Sequence, residues 1–243
     1  MAAVLCACAP AAPTATPART PTPVPSATPT PSPPPDTERV SVLADGVGAF
    51  DLVAFPVAVL HSEATRLQAT GVVVHFSTSR RGAHLDSLDS EAVILYPGQS
   101  LIVTANCTDT CDLADGVTET VSVAAWVAVD GTPVHVDAAT YACGGSCRGR
   151  GYGDATATIH GDGLPNAAPV DVFAACMTGS GAIVGGGERT LIWPQAGGTA
   201  TIDVPVILSA QPSSCTVNAT PASSTATPAP APSAATQPSS PPT

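Results

Sequence analysis

Apolar residues alternate with polar residues in short segments through the middle of the chain. In the clearest segment they occupy every second position: Val121, Val123, Ala125, Val127 and Val129. Alternation with a period of two places apolar side chains on one face of a β-strand. No segment carries a sustained 3.6-residue apolar period, the pattern of an amphipathic helix. The sequence therefore predicts an all-β protein, in which Asp130 and Gly131 turn the chain so that residues 134–136 return along the preceding strand.

Proline is concentrated at the two ends of the chain. Eleven of the 26 prolines lie between positions 10 and 35, seven lie between 221 and 242, and eight remain between 36 and 220. Both ends otherwise consist mainly of Ala, Thr and Ser. Such segments bury too little apolar surface to offset the entropy that is lost on ordering. We therefore expect residues 9–36 to be a disordered Pro/Thr stalk and residues 220–243 to be a disordered Pro/Ser/Thr tail.

The segment between these ends contains an internal repeat. Residues 94–97 (ILYP), followed by a glycine and an apolar strand, recur 97 residues later as residues 191–194 (LIWP). At the same offset Phe76 corresponds to Phe173, and each lies in an apolar segment. Two units of about 90 residues, each with roughly six to eight short strands, are typical of tandem β-sandwich domains.

The order strand, aromatic residue, proline, glycine, strand resembles the small immunoglobulin-like sandwich modules of bacterial lipoproteins, including the FxLYD type. In that family a similar turn precedes a hydrophobic strand, as residues 95–98 (LYPG) do here. The resemblance implies an accessory or binding role and brings no catalytic residues with it. We therefore predict two tandem immunoglobulin-like β-sandwich domains, at 37–130 and 131–219, flanked by the disordered Pro/Thr/Ser-rich tails.

The first eight residues end in a motif associated with lipid attachment. Residues 5–8 (LCAC) resemble the lipobox of bacterial lipoproteins, in which a cysteine after leucine and small residues is lipidated following cleavage. The stalk begins directly after Cys8. A complete signal also has a basic start and roughly 7–15 apolar residues, so residues 1–8 are interpreted as a truncated signal remnant; a chance match is the alternative. The resemblance implies an exported protein, lipid-anchored through Cys8 to the extracytoplasmic face of the bacterial cell membrane.

Six further cysteines lie in the strand-rich segment. Two pairs have C-x3-C spacing, in NCTDTC and CGGSC, and a third pair lies at the end of one strand segment and the start of another. Because disulfides persist in oxidising compartments, three are predicted: Cys107–Cys111, Cys143–Cys147 and Cys176–Cys215. Cross-links between the two C-x3-C pairs, and a four-thiolate zinc site made by the same pairs, are the alternatives.

Few residues are candidate metal ligands. Asp109, Asp112 and Asp115 recur at every third position and are candidates for binding calcium, which takes only oxygen ligands. Their spacing departs from that of an EF-hand loop, and a solvated turn is the alternative. His61 and His160 occupy equivalent positions in the repeat, which favours a structural role over metal binding for both. No cofactor is therefore predicted.

Charge and motifs favour a binding protein over an enzyme. The net charge is −11 and all eight basic residues are arginines, so a nucleic-acid partner, which needs a basic face, is not expected. No serine has the G-x-S-x-G context of a hydrolase nucleophile. The glycine-rich residues 179–187 lack the lysine of a phosphate-binding loop and are interpreted as a hairpin with flexible flanks. A loop with Arg148, Arg150 and Tyr152 is a candidate contact for an acidic glycan or a partner protein, and a solvated loop is the alternative.

Together these features predict a non-enzymatic cell-envelope lipoprotein. Its disulfide-braced sandwiches are expected to bind or scaffold at the cell surface, with the membrane reached through the lipid anchor and an unidentified protein or glycan as ligand. The alternative is a metal-stabilised, adhesin-like surface module that holds calcium or zinc.

Overall fold

The computed structural model describes residues 36–51, 53–108, 111, 113–143, 150–162, 164–194 and 197–222. Within these ranges the chain is all-β, as predicted, and its strands form two sheets with no helix. Accordingly, none of these residues forms an apolar helix of membrane-spanning length. The predicted signal remnant with Cys8, the stalk up to residue 35 and the tail from residue 223 lie outside the described residues. The predicted bounds of both disordered segments are wrong by a few residues, since Asp36 is held by hydrogen bonds and the last strand extends through Pro221.

The strands of the described chain coincide with the alternating segments of the sequence. In β11, for example, Ala155, Ala157 and Ile159 are buried and the residues between them are half-buried. The strands are β1 (Val40–Phe50), β2 (Val53–Ser62), β3 (Leu67–Arg80), β4 (Ala83–Asp89), β5 (Val93–Leu95), β6 (Ser100–Thr104), β7 (Cys107–Thr108), β8 (Gly116–Ala128), β9 (His135–Val136), β10 (Thr140–Cys143), β11 (Gly151–His160), β12 (Pro169–Met177), β13 (Ile183–Ile192), β14 (Thr199–Leu208) and β15 (Ser214–Pro221).

The smaller sheet is built around β3, which pairs with β8 on one side and with β4 and β5 on the other, always antiparallel. In the larger sheet β2 pairs with β1 and β6, β12 pairs with β13 and β15, and β11 pairs with β14, β10 and β9. A parallel pairing of Gly46 in β1 with Ile183 in β13 joins the first two groups. An antiparallel pairing of β13 with β14 joins the third. One sheet therefore contains strands from both predicted domains, 37–130 and 131–219; the boundary between them stays a prediction.

Strand β12 contributes to two hydrophobic cores at once. On one face Val172, Ala174 and Cys176 pack with residues of β11, β14 and β15. On the other face Phe173 and Ala175 pack into the core made by β2, β3, β5 and β6. A strand that is buried on both faces has a continuous apolar sequence rather than an alternating one. The two halves of the chain are in direct contact through this strand.

In β3 and β8, the alternation of buried and exposed side chains shifts part-way along the strands. Gly71 has a φ of +59°, in the left-handed region that favours glycine. On either side of it Ala69 and Val72 are both buried, although they are three residues apart. In β8, Trp126 packs on the core and Val127 is 39% exposed. The regular alternation in the sequence of β8 therefore does not correspond to one continuous buried face.

Both aromatic residues of the repeated motif are buried. Tyr96 is 5% exposed and Trp193 is 1% exposed. The Tyr96 hydroxyl lies 3.4 Å from the backbone carbonyl oxygen of Asp130. The indole of Trp193 packs so closely on Gly161 that a Cβ atom there would overlap the ring. The aromatic position of the repeated motif is thus buried in both halves.

Glycines permit a close approach of β1, β13 and β14. A Cβ atom on Gly48 would overlap the carbonyl oxygen of Ile207, and a Cβ atom on Gly187 would overlap that of Pro205. Gly185 has a φ of +152°, a backbone conformation that residues with side chains rarely adopt. We refer to Gly48, Gly185 and Gly187, together with the residues that they approach, Pro205 and Ile207, as the glycine crossing.

The glycine crossing corrects one interpretation of the sequence. Residues 185–187 lie inside β13 and pair with β12 along their length, so they are not a flexible flank of a hairpin. The glycines occur there because neighbouring backbones leave no room for a side chain. Composition alone does not distinguish a loop from such a packed strand.

The hairpin predicted at Asp130 and Gly131 is wrong. Gly131 has a φ of +86°, as a turn residue does, but the following strand does not return along β8. Instead β9 pairs antiparallel with β11, and His135 lies directly opposite His160. A turn signal marks where the chain bends and does not determine which strand the next segment pairs with.

Asp36 fastens the first described residues to the turn that precedes β3. Its carboxylate accepts hydrogen bonds from the backbone N–H and hydroxyl of Thr65, at 2.7 and 2.8 Å, and from the backbone N–H groups of Arg66 and Leu67, at 3.0 and 2.9 Å. These bonds, above all the one from the Thr65 backbone, hold the pKa of Asp36 well below its ordinary value.

We expect Gly48→Ala to destabilise the protein by about 1–3 kcal/mol, because the added methyl group has to displace the β14 backbone. Urea unfolding followed by circular dichroism measures this change. Gly151→Ala is the matched control, since no atom lies within 4 Å of its Cβ position, and it should change stability by less than about 1 kcal/mol. Equal effects of the two substitutions would contradict the packing described at the glycine crossing.

We expect Asp36→Ala to lower the melting temperature at neutral pH and to have a smaller effect in acid. A lowered folded-state pKa means that the carboxylate contributes its full stability above the unfolded-state value of about 4. That contribution is lost as the pH falls through the folded-state pKa. Melting curves of both proteins between about pH 2 and about pH 7 test this. Glu38→Ala, which removes the same charge from an exposed side chain two residues away, is the control. A difference in melting temperature between Asp36→Ala and the unaltered protein that stays the same at every pH would contradict the prediction.

Candidate functional site

Cys107 and Cys111 form the disulfide predicted from their C-x3-C spacing, and their Cα atoms lie 5.9 Å apart. Both side chains are buried in a small core that includes Val47, Ala49 and Ala54. A cysteine in a disulfide offers no thiolate to a metal. In this oxidised state the four-thiolate zinc alternative therefore lacks two of its ligands.

Cys176 and Cys215 form the second predicted disulfide within the described chain. They are direct partners on β12 and β15, and both are buried in the core of the second half. Closing a loop of this length stabilises the folded state by about 4 kcal/mol in the chain-entropy account. Cys147, the predicted partner of Cys143, lies outside the described residues.

Asp115 is the one candidate calcium ligand among the described residues; Asp109 and Asp112 lie outside them. Its Oδ1 accepts a hydrogen bond of 2.8 Å from the backbone N–H of Arg81, and its own backbone N–H donates to the carbonyl oxygen of Ser79 at 3.0 Å. These bonds tie the segment after the Cys107–Cys111 loop to the turn between β3 and β4. The carboxylate has a structural role here, and the calcium site stays a prediction.

Two residues of the predicted contact loop are described. Tyr152 is 46% exposed, and its ring packs edge-on against Phe50 with the ring centroids 5.2 Å apart. Arg150 is exposed two residues before it. Arg148 lies outside the described residues. Tyr152 therefore belongs to strand β11, opposite Ile207, and not to a loop as predicted. The contact role of Arg150 and Tyr152 stays a prediction.

A cleft of about 280 Å³ brings together carboxylates that are far apart in the sequence. Glu91 comes from the segment before β5, Asp171 from β12 and Glu188 from β13. We refer to these three residues as the carboxylate cleft. Arg189 and Thr190 also line it. No sequence motif pointed to this site, because its residues meet only when β12 and β13 pair and the first half packs beside them.

Hydrogen bonds hold two of these carboxylates in place. The Thr104 hydroxyl donates to Glu188 Oε2 at 2.8 Å, and the Thr190 hydroxyl donates to Asp171 Oδ1 at 2.7 Å. Burial raises the pKa of Glu188, and the charges of Glu91 and Asp171 raise it further against the lowering effect of the Thr104 bond. Such a concentration of acceptors suits a ligand that carries hydroxyl groups or positive charge.

A second polar group lies on the smaller sheet. His75 Nδ1 lies 2.6 Å from Asp89 Oδ1, and His75 Nε2 lies 3.0 Å from Ser122 Oγ. The carboxylate assigns the proton to Nδ1, so Nε2 accepts from the serine hydroxyl, in the order of a Ser-His-Asp triad. All three side chains are exposed. Acyl-transfer catalysis depends on oxyanion donors in a water-excluded site, so we interpret this arrangement as a surface hydrogen-bond network.

The pairing of β9 with β11 produces a third group, which we refer to as the histidine cluster: His135, Asp137 and His160. His160 Nε2 lies 3.1 Å from Asp137 Oδ2, and His135 Nε2 lies 3.5 Å from Asp137 Oδ1. The imidazole of His160, followed by that of His135, lowers the pKa of Asp137. Within the described chain His160 Nε2 is buried, and its 3.1 Å contact with Asp137 Oδ2 is poorly aligned for a straight hydrogen bond.

The equivalence of His61 and His160 in the repeat does not extend to their surroundings. His61 Nδ1 lies 3.1 Å from Ser100 Oγ. His160 instead lies beside a second imidazole, with ring centroids 5.1 Å apart, and a carboxylate. Both residues nevertheless lie at or next to the end of a strand, β2 for His61 and β11 for His160, which is a structural position that the two share. Sequence reasoning missed the histidine cluster because it assigned β9 to the wrong partner strand.

Comparison of the chain with known protein families gives no matching family model, and comparison with curated proteins gives no match.

We expect the Ser122–His75–Asp89 network to have no esterase activity, because water reaches all three side chains. The protein should hydrolyse p-nitrophenyl acetate no more than about twofold faster than Ser122→Ala does, since surface imidazoles alone account for a slow background. A burst of p-nitrophenol equal to the protein concentration, lost in Ser122→Ala and in His75→Gln, would contradict this expectation.

Proposed function

We propose that this chain is a non-enzymatic, exported lipoprotein of the bacterial cell envelope. In this proposal Cys8 carries the lipid that holds it on the extracytoplasmic face of the membrane, and the Pro/Thr stalk spaces the folded unit from the surface. The β-sandwich modules act there by binding or scaffolding, with a protein or glycan as the ligand.

The observation that carries the proposal is the pair of buried disulfides in an all-β unit. Structural disulfides are rare in the reducing cytosol and persist in exported proteins. The Cys176–Cys215 bond lies within a hydrophobic core rather than in an exposed redox site, which favours a structural purpose. A Pro/Thr-rich segment between a lipobox-like motif and this unit is the arrangement expected of an anchored surface protein.

Two described surfaces support a binding role. The carboxylate cleft presents oriented acceptors at the point where β12 and β13 meet the first half of the chain. Tyr152 presents an exposed aromatic ring at the start of β11. Acidic side chains bind the hydroxyls of sugars and the basic segments of proteins, and exposed aromatic rings bind the apolar faces of sugars.

Metabolic labelling with an alkyne fatty acid tests the anchor. Cells that express the protein with its own export signal should incorporate the label into it. Cys8→Ala should abolish incorporation, because the thiol of that residue accepts the lipid in this proposal, whereas the matched control Cys6→Ala should keep it. In-gel fluorescence of the protein, purified after detergent extraction, measures both.

Absence of label in the unaltered protein, or equal labelling of Cys8→Ala, would contradict the lipid anchor. Alkylation of the same preparation without reduction separates anchoring from export. Unmodified Cys107, Cys111, Cys176 and Cys215 are expected for an exported chain, and four alkylated cysteines would contradict the oxidising compartment as well.

A further inference from the structure

The side chains of the histidine cluster project from one face of the β9–β11 ladder. His135 and His160 are direct cross-strand partners, and the ladder continues because the backbone N–H of Asp137 donates to the carbonyl oxygen of Thr158 at 2.9 Å. Residues two apart on a strand share a face. His135 and Asp137 therefore face the same side as His160, which brings two imidazoles and one carboxylate together.

The spacing of the donor atoms matches what a metal ion requires. With metal–ligand bonds of about 2.0–2.1 Å, neighbouring donors in a tetrahedral site lie about 3.3 Å apart. Asp137 Oδ2 lies 3.1 Å from His160 Nε2, and Asp137 Oδ1 lies 3.5 Å from His135 Nε2. One donor atom from each of the three residues lies within 4.8 Å of the others. The His135 side chain is 71% exposed and is free to rotate toward the other two ligands.

The orientation of His160 is hard to explain by hydrogen bonding alone. Its Nε2 atom is buried and faces Asp137 Oδ2, yet the two atoms are not aligned for a hydrogen bond. A buried polar atom without an aligned partner costs free energy. A cation between the three side chains would accept electron pairs from both imidazoles and from the carboxylate at once.

We propose that His135, Asp137 and His160 form a binding site for a divalent transition-metal ion of the Zn²⁺ or Ni²⁺ type. Two imidazoles and one carboxylate are ligands that suit these ions, and water would complete the coordination. Calcium, which takes oxygen ligands, does not fit this donor set. The site would fasten β9, in the segment that connects the two halves of the chain, to β11.

Isothermal titration of the oxidised full chain with ZnCl₂, and separately with NiCl₂, tests the site after treatment with a chelator. We expect one ion to bind per chain and the melting temperature to rise with metal concentration, since an ion that binds only the folded state stabilises it. His160→Gln and Asp137→Asn should each weaken binding by about tenfold or more, because each removes or weakens one of three ligands.

His61→Gln and His75→Gln are matched controls, since each removes an imidazole that bonds a hydroxyl or carboxylate elsewhere on the described surface. Both should bind the metal within about twofold of the unaltered protein. Circular dichroism of each variant checks that its fold is retained. The proposal is overturned by the absence of saturable binding, by binding that survives in the His135→Gln, Asp137→Asn, His160→Gln triple variant, or by binding that His75→Gln removes.

Discussion

The close approach of three backbones at the glycine crossing is the contact on which the rest of the arrangement depends. Gly48 and Gly187 let β1 and β13 lie against β14 at a distance that any side chain would prevent. This approach places β13 beside β1 and so joins the strands of both halves in one sheet. It also brings β12 over the first core, where Phe173 and Ala175 become buried.

The local features of this fold could be predicted from the sequence, but the way its halves combine could not. Alternation located the strands, and the spacing of Cys176 and Cys215 at two strand ends pointed to their disulfide. Phe76 and Phe173 occupy corresponding positions in the sequence repeat. Both lie in the same core, although Phe173 belongs to the second half. A period-two pattern assigns a face only when the opposite face is polar. From Val172 to Cys176 both faces of β12 are apolar, so the sequence contains no signal for which core each of these residues joins.

The candidate sites could not be predicted from the sequence for a related reason. Each site is brought together by the pairing of strands. His75 and Asp89 are opposite each other on β3 and β4, and His135 is opposite His160 on β9 and β11. A register one residue different would place each partner on the other face of the sheet. The turn residues Asp130 and Gly131 favoured a hairpin that would have kept β9 on β8, away from His160. Residue types could thus be named in advance, but their neighbours could not.

The position of the histidine cluster limits what a bound metal could do to the molecule. The cluster lies on β9, and this short strand has few backbone hydrogen bonds to hold it on β11. A metal would therefore order the connecting segment, which is the least supported part of the ladder. The two halves, in contrast, are held by β12 and by the glycine crossing, and neither includes a residue of the cluster. Metal occupancy would accordingly change the stability of β9 and leave the carboxylate cleft, which lies where β12 and β13 meet the first half, in its present geometry.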